Sequence, residues 1–133
     1  MHGLATDIEA ATRANDDFRR VAYTGRNLQL VLMALQPGED IGAEVHTGHD
    51  QFFRVETGSG EFVIDGATTS ISDGWAMIVP AGAQHNVINT GAEPLRLYTL
   101  YAPPHHRNQV VRATKADALA IPEQFDGITS EDR

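Results

Sequence analysis

Gly38-Glu39-Asp40-Ile41-Gly42-Ala43-Glu44-Val45-His46-Thr47-Gly48-His49-Asp50-Gln51-Phe52-Phe53-Arg54-Val55-Glu56-Thr57-Gly58 is the stretch on which the reading of this chain turns. Glu44 and His46 are two apart, so on a strand they face the same side. If Gln51 faces that interior, Phe53 and Val55 do too, and Phe52, Arg54 and Glu56 point away, Phe52 toward a subunit contact. The pattern sets apolar residues beside ligand-type side chains and keeps charge outside. A second stretch, Gly74-x5-Pro80-x-Gly82-x2-His85-x3-Asn89, shares this architecture of glycines, a proline and ligand-type side chains. Its Pro80-Ala81-Gly82-Ala83 turn aims His85 inward, with Val87 on the same face. Gly58 and Gly82 supply corners that need positive φ.

Around these two stretches the chain reads as short strands cut by turns. Strands are expected at Phe18–Tyr23, Leu28–Leu35, Gly42–His46, Gln51–Glu56, Gly60–Asp65, Thr68–Ile71, Trp75–Val79, Gln84–Asn89 and Leu95–Tyr101. Asp65-Gly66 is a two-residue hairpin signal, because a type I′ turn needs positive φ at both central positions. A short helix is expected over Asp7–Asn15, with Asp7 or Thr6 as N-cap. Another is expected over Lys115–Ala120, with Thr114 as N-cap and Pro122 blocking its continuation. Many short strands without long helices between them argue for a sandwich or barrel. Residues 1–27 read as an N-terminal helix and strand extension, 28–101 as the barrel core and 102–133 as a C-terminal tail, all within one domain. Gly127–Arg133 is expected to be frayed.

With 133 residues and 41% apolar content, the chain suits one globular domain. A net charge of −8, from 18 acidic and 10 basic residues, argues against nucleic acid and anionic membranes as partners. No apolar run reaches the ~18 residues of a membrane span. Cysteine is absent, which removes disulfide and thiolate chemistry. The first residues lack a basic start and apolar run, so a cytoplasmic location is expected.

Read together, the two stretches resemble the paired motifs of the cupin family, Gly-x5-His-x-His-x3,4-Glu-x6-Gly and Gly-x5-Pro-x-Gly-x2-His-x3-Asn. The second matches at every fixed position. The first matches in spacing, with Glu44 where the family has its first His and Gln51 where it has Glu. The resemblance implies an all-β fold, a double-stranded β-helix or jelly-roll barrel, here with short terminal helical segments. It also implies a four-point site for a divalent metal ion at Glu44, His46, Gln51 and His85. Zinc, manganese, iron and nickel all suit such nitrogen and oxygen donors. The set carries one formal negative charge and leaves coordination positions for water or substrate.

The resemblance further implies a small metal-dependent enzyme on a small polar molecule. One Gln, one Glu and two His are similar in type to the zinc ligands of phosphomannose isomerases, so a sugar-phosphate isomerase-like activity is expected. Two His and a carboxylate equally suit a non-haem dioxygenase. A non-enzymatic sugar or small-molecule binder, and a metal-free barrel in which these are ordinary strand residues, stand as alternatives. No catalytic residue is assigned. Cupins commonly pair through their sheets, so a homodimer is expected. His49 is expected in an exposed turn, His105-His106 in a surface loop, Arg54 and Arg96 on strand surfaces, and Trp75 in the core or an interface. At most one of Tyr98 and Tyr101 faces the pocket.

Overall fold

A computed structural model describes residues 1–132. Helix α1 (Ile8–Ala14) precedes ten strands: β1 (Arg19–Thr24), β2 (Gln29–Leu35), β3 (Glu44–Val45), β4 (Asp50–Thr57), β5 (Ser59–Ile64), β6 (Ala67–Ser72), β7 (Ala76–Val79), β8 (Gln84–Ile88), β9 (Leu95–Ala102) and β10 (Val111–Arg112). Helix α2 (Lys115–Ala120) follows. All strand pairings are antiparallel. One sheet runs β10-β1-β2-β9-β4-β7 and the other β3-β8-β5-β6, the two layers of a jelly-roll, double-stranded β-helix.

Period-two burial builds the core. Val31, Leu35, Phe53, Val55, Leu95 and Leu97 of the large sheet meet Phe62, Ile71 and Val87 of the small one, each less than a tenth exposed. Tyr98 alternates to the outer face, where its ring lies 6.2 Å from Phe52. The Asp65-Gly66 turn has φ of 44° and 83°, as the hairpin signal requires. Asp7 caps α1 through the Ala10 amide and Thr114 caps α2 through the Asp117 amide.

The structure changes three expectations. β10 had no signal in the sequence, because two residues carry no periodicity; it pairs with β1 at Arg19↔Arg112 and Arg20↔Val111. Of the segment expected to fray, residues 127–132 are docked, and Arg133 lies outside the described residues. The Ser130 amide donates to the Thr24 carbonyl, and Glu131 accepts from the His2 and Gly3 amides and from the Tyr23 hydroxyl at 2.6 Å. Trp75 is 46% exposed, which removes the core from the two places expected for it and leaves the interface.

Gly60 of β5 lies hard against the neighbouring strand β8 of the same sheet. A Cβ there would lie 2.2 Å from the Ile88 carbonyl oxygen, a backbone atom that cannot rotate away. Gly60→Ala is therefore expected to destabilise the protein by about 1–3 kcal/mol, the usual cost of overpacking. Gly48→Ala has open space around it and an unstrained backbone, so its melting temperature should stay within about a degree of the parent's. Equal effects in thermal unfolding would contradict this account.

Candidate metal site

Strand register assembles the site at one end of the barrel. Glu44 of β3 lies directly opposite His85 of β8. His46 follows β3, and its Nε2 lies 2.9 Å from Glu44 Oε2. One ligand-type atom from each of Glu44, His46 and His85 falls within 4.8 Å of the others. His85 is 1% exposed. Its Nδ1 lies 3.3 Å from the Ala83 carbonyl, and its Nε2 is buried with no hydrogen-bond partner. With Nδ1–H donated to that carbonyl, the Nε2 lone pair is left free, the tautomer that a metal requires.

Gln51 comes from the other sheet. Across β2, β9 and β4, Gln29, Tyr101 and Gln51 stand in one register row, all buried. The Gln51 Nε2 donates to Thr99 Oγ1 at 3.0 Å, and its Oε1 is buried with no partner. An orphaned carbonyl oxygen costs about 1–3 kcal/mol unless something satisfies it. Two such atoms, Gln51 Oε1 and His85 Nε2, fit a cation that takes oxygen and imidazole donors.

The residues after β9 overturn the expectation of a plain loop. His106 is 4% exposed. His105 packs its ring 4.5 Å from the His46 ring and stacks on Tyr101 at 5.3 Å. Gln29 pins the pair: its Oε1 accepts from both the His105 and His106 amides, and its Nε2 donates to the His106 carbonyl. His49 is half-buried beside them, with Nδ1 2.7 Å from the Pro103 carbonyl and its ring 5.0 Å from that of His105. It does lie in the turn before β4, but against neighbours the sequence did not reveal. Gln29 was one polar residue in an apolar strand, and Pro103-Pro104 ahead of two histidines was the only cue to the segment.

Arg54 and Arg96 do lie on the strand surface. Arg54 sits by Glu56, and Arg96 is held by the Asn15 carbonyl and Asp16. Of the two tyrosines, Tyr101 faces inward.

Electrostatics follow from burial. Desolvation would raise the Glu44 carboxyl, but the His46 hydrogen bond and the nearby imidazoles outweigh it and hold it below the usual carboxylate range. Burial first, then the His46 charge, pushes His85 down. Burial, with His106, His46 and His49 around it, pushes His105 down to about 4. Burial drives the Tyr101 phenol up. At neutral pH the site thus holds the Glu44 carboxylate beside the uncharged rings of His85 and His105.

Residues 31–101 match the family description "Cupin domain". The chain belongs to the cupin family. It is 46% identical over 123 residues to the uncharacterized protein YrkC of Bacillus subtilis (strain 168), which is 88% of this chain and 66% of YrkC. This cupin thus spans about two thirds of the length of the curated relatives it matches first. The crystal structure of BH2720 from Bacillus halodurans is similar at a TM-score of 0.89 and 44% identity, over 90% of this chain and 96% of that one. A predicted oxalate decarboxylase from Thermotoga maritima is similar at a TM-score of 0.55 and 25% identity, over 56% and 65% of the two chains. No helix among the described residues is long and apolar enough to cross a membrane.

The lowered imidazoles set the acid response. Unfolded histidines take up protons near 6.5, whereas His85, His105 and His106 in the fold resist until lower pH. The unfolded state therefore binds more protons, and stability falls as pH drops from about 6.5 toward 4. Chelator-treated protein should lose melting temperature well above the carboxylate range, and His105→Gln should flatten that slope. A flat profile down to about pH 5 would refute this.

Proposed function

We propose that this cupin is a metal-dependent enzyme that acts on a small polar molecule at a divalent ion held by Glu44, His46, His85 and the amide oxygen of Gln51. The observation that carries it is the convergence of ligand-type atoms of Glu44, His46 and His85 within 4.8 Å, with His85 Nε2 and, on the other sheet, Gln51 Oε1 buried and unpartnered. Two imidazoles, one carboxylate and one amide leave a divalent ion with a net positive charge. A metal so held supplies Lewis acidity to an oxygen-bearing substrate. The protein's part is to position and to exclude water. Tyr101 and His105 wall one side of the cavity with stacked rings, and uncharged His105 has a lone pair to accept a substrate hydroxyl proton.

The isomerase-like reading rests on the ligand types. Arg19 and Arg112 are both engaged by Glu123, which itself holds His106, and this favours a neutral polyol substrate over a phosphate. A dioxygenase is the second reading, favoured by the two-histidine, one-carboxylate group. Oxygen consumption with candidate substrates separates the two.

Elemental analysis tests the metal. About one divalent ion per chain is expected, with binding that weakens below about pH 6 as protons compete for the imidazoles. His46→Ala should purify largely metal-free, while His49→Ala should hold metal like the parent. Substoichiometric metal after reconstitution with zinc, manganese, iron and nickel would refute the proposal.

The partner we propose is a second copy. The outer face of the large sheet exposes Ile78 at 68%, with Phe52, Tyr98, Leu30 and Leu100 half-buried beside it. β7 leaves an unpaired edge next to this apolar face, which pairing with another copy would cover. Light scattering at micromolar concentration should report a dimer, and Ile78→Lys should shift it to monomer; a parent that is already monomeric would sink the idea.

A further inference from the structure

Beside the metal position, the turn before β4 and the chain after β9 enclose a cavity of about 400 Å³, lined by His49, Pro104, His105, Gln124 and Phe125. That volume falls within the ~300–1,000 Å³ of small-molecule sites. Of these residues only His49 lies inside the stretch 31–101 that matches the cupin core. The rest belong to the segment that follows it. The cavity is thus an addition to the barrel, and additions of this kind are where a shared fold acquires its specificity.

The cavity adjoins the metal position through its imidazoles. The His105 ring lies 4.5 Å from the His46 ring, and the His49 ring lies 5.8 Å from it. The two rings that line the cavity therefore also flank a residue of the metal site. The lining is held from several directions. The Phe125 amide donates to the His105 carbonyl at 2.9 Å, and the His105 amide donates to Gln29 Oε1 at 3.1 Å. Glu123, the residue before Gln124, is fixed by His106, Arg19 and Arg112. A wall so fastened loses little freedom when a ligand binds. His49 Nδ1 lies 2.7 Å from the Pro103 carbonyl, which can only accept, so Nδ1 carries the hydrogen. In the neutral ring Nε2 is then an acceptor for a ligand hydroxyl.

The lining also states what it would reject. Among the described residues it contains no Lys, Arg, Asp or Glu. A phosphate or carboxylate that entered would give up hydration and meet no fixed cation in return. Phe125 and Pro104 supply an apolar wall, while His49, His105 and Gln124 supply hydrogen-bonding groups. A molecule with a C–H face and a rim of hydroxyls matches both. We propose that this cavity is a substrate subsite for a neutral hydroxylated ring, a sugar in its cyclic form, with Phe125 against its C–H face and His49 and Gln124 at its hydroxyls, so that its far end reaches toward His46. The proposal rests on the neutral-polyol reading above and gives that substrate its place.

D-Mannose and D-fructose are the neutral probes, and D-mannose 6-phosphate differs from the first only by its charged group. Each is titrated into chelator-treated protein and followed by NMR. The neutral sugars should shift the ring signals of His49 and His105 and the side-chain amide of Gln124. The phosphate should bind at least about 10-fold more weakly. Phe125→Ala and Gln124→Ala should each weaken mannose binding about 10-fold, the effect of one lost contact of ordinary strength. Gln124 is exposed, so its variants keep the test open if Phe125→Ala fails to fold. Gln124→Arg should reverse the order and favour the phosphate. No shift at about 100 mM sugar, where a ligand with Kd ~10 mM is mostly bound, would overturn the proposal. So would a parent that prefers the phosphate, or variants that bind mannose like the parent.

Zinc(II) affinity, read by competition with a chromophoric chelator, separates this from the metal reading. His49→Ala should hold zinc like the parent yet lose mannose. If zinc binds and neither sugar touches the cavity, the subsite fails and the metal reading stands. If the sugars bind there and zinc does not bind, the metal reading fails and the subsite stands.

Discussion

The register of β9 between β2 and β4 is the constraint on which the site depends. Because antiparallel partners face the same side, the pairings Gln29↔Tyr101 and Gln51↔Tyr101 place three polar residues in one inward row. The next inward row holds Val31, Thr99 and Phe53, each fully buried. A slip of one residue would turn Gln51 and Tyr101 to the outer face and bring Phe52 and Leu100 in. The apolar alternation along β2, β4 and β9 forbids that slip, so core packing and site assembly are one event.

Burying polar groups in such a row is costly unless each finds a partner. Gln29 meets this by clasping the backbone of His105 and His106, which carries the chain back over the end of the barrel. Tyr101 meets it through His106, and His106 through Glu123. The small sheet contributes Glu44 and His85 in direct register. Among the four expected ligands, Gln51 Oε1 and His85 Nε2, one atom from each sheet, are buried without a protein partner. Each sheet thus carries a spare lone pair of the kind a cation takes.

Much of the fold was legible in local signals. Alternating burial, the Asp65-Gly66 turn, the capping residues of both helices and the glycine and proline spacing each report on a few neighbouring residues. Those are the interactions a linear reading can weigh. The same reading picked out Glu44, His46 and His85, which the fold brings within 4.8 Å, through strand parity and family spacing. It failed on His105, His106, Gln29 and Glu123, because their partners lie far off in sequence: 77 positions separate Gln29 from His106, and 17 separate His106 from Glu123.

By itself the sequence determined the β-strand composition, the turn positions and the residue types that a metal would use, since each follows from side-chain periodicity or backbone preference within short windows. Only the tertiary structure decided which polar groups share the cavity, and it did so through register and burial. Burial lowers the imidazoles, orders the hydrogen bonds and turns a docked tail into one wall of the site. Those are properties of an enclosed volume, and no window along the chain encloses one.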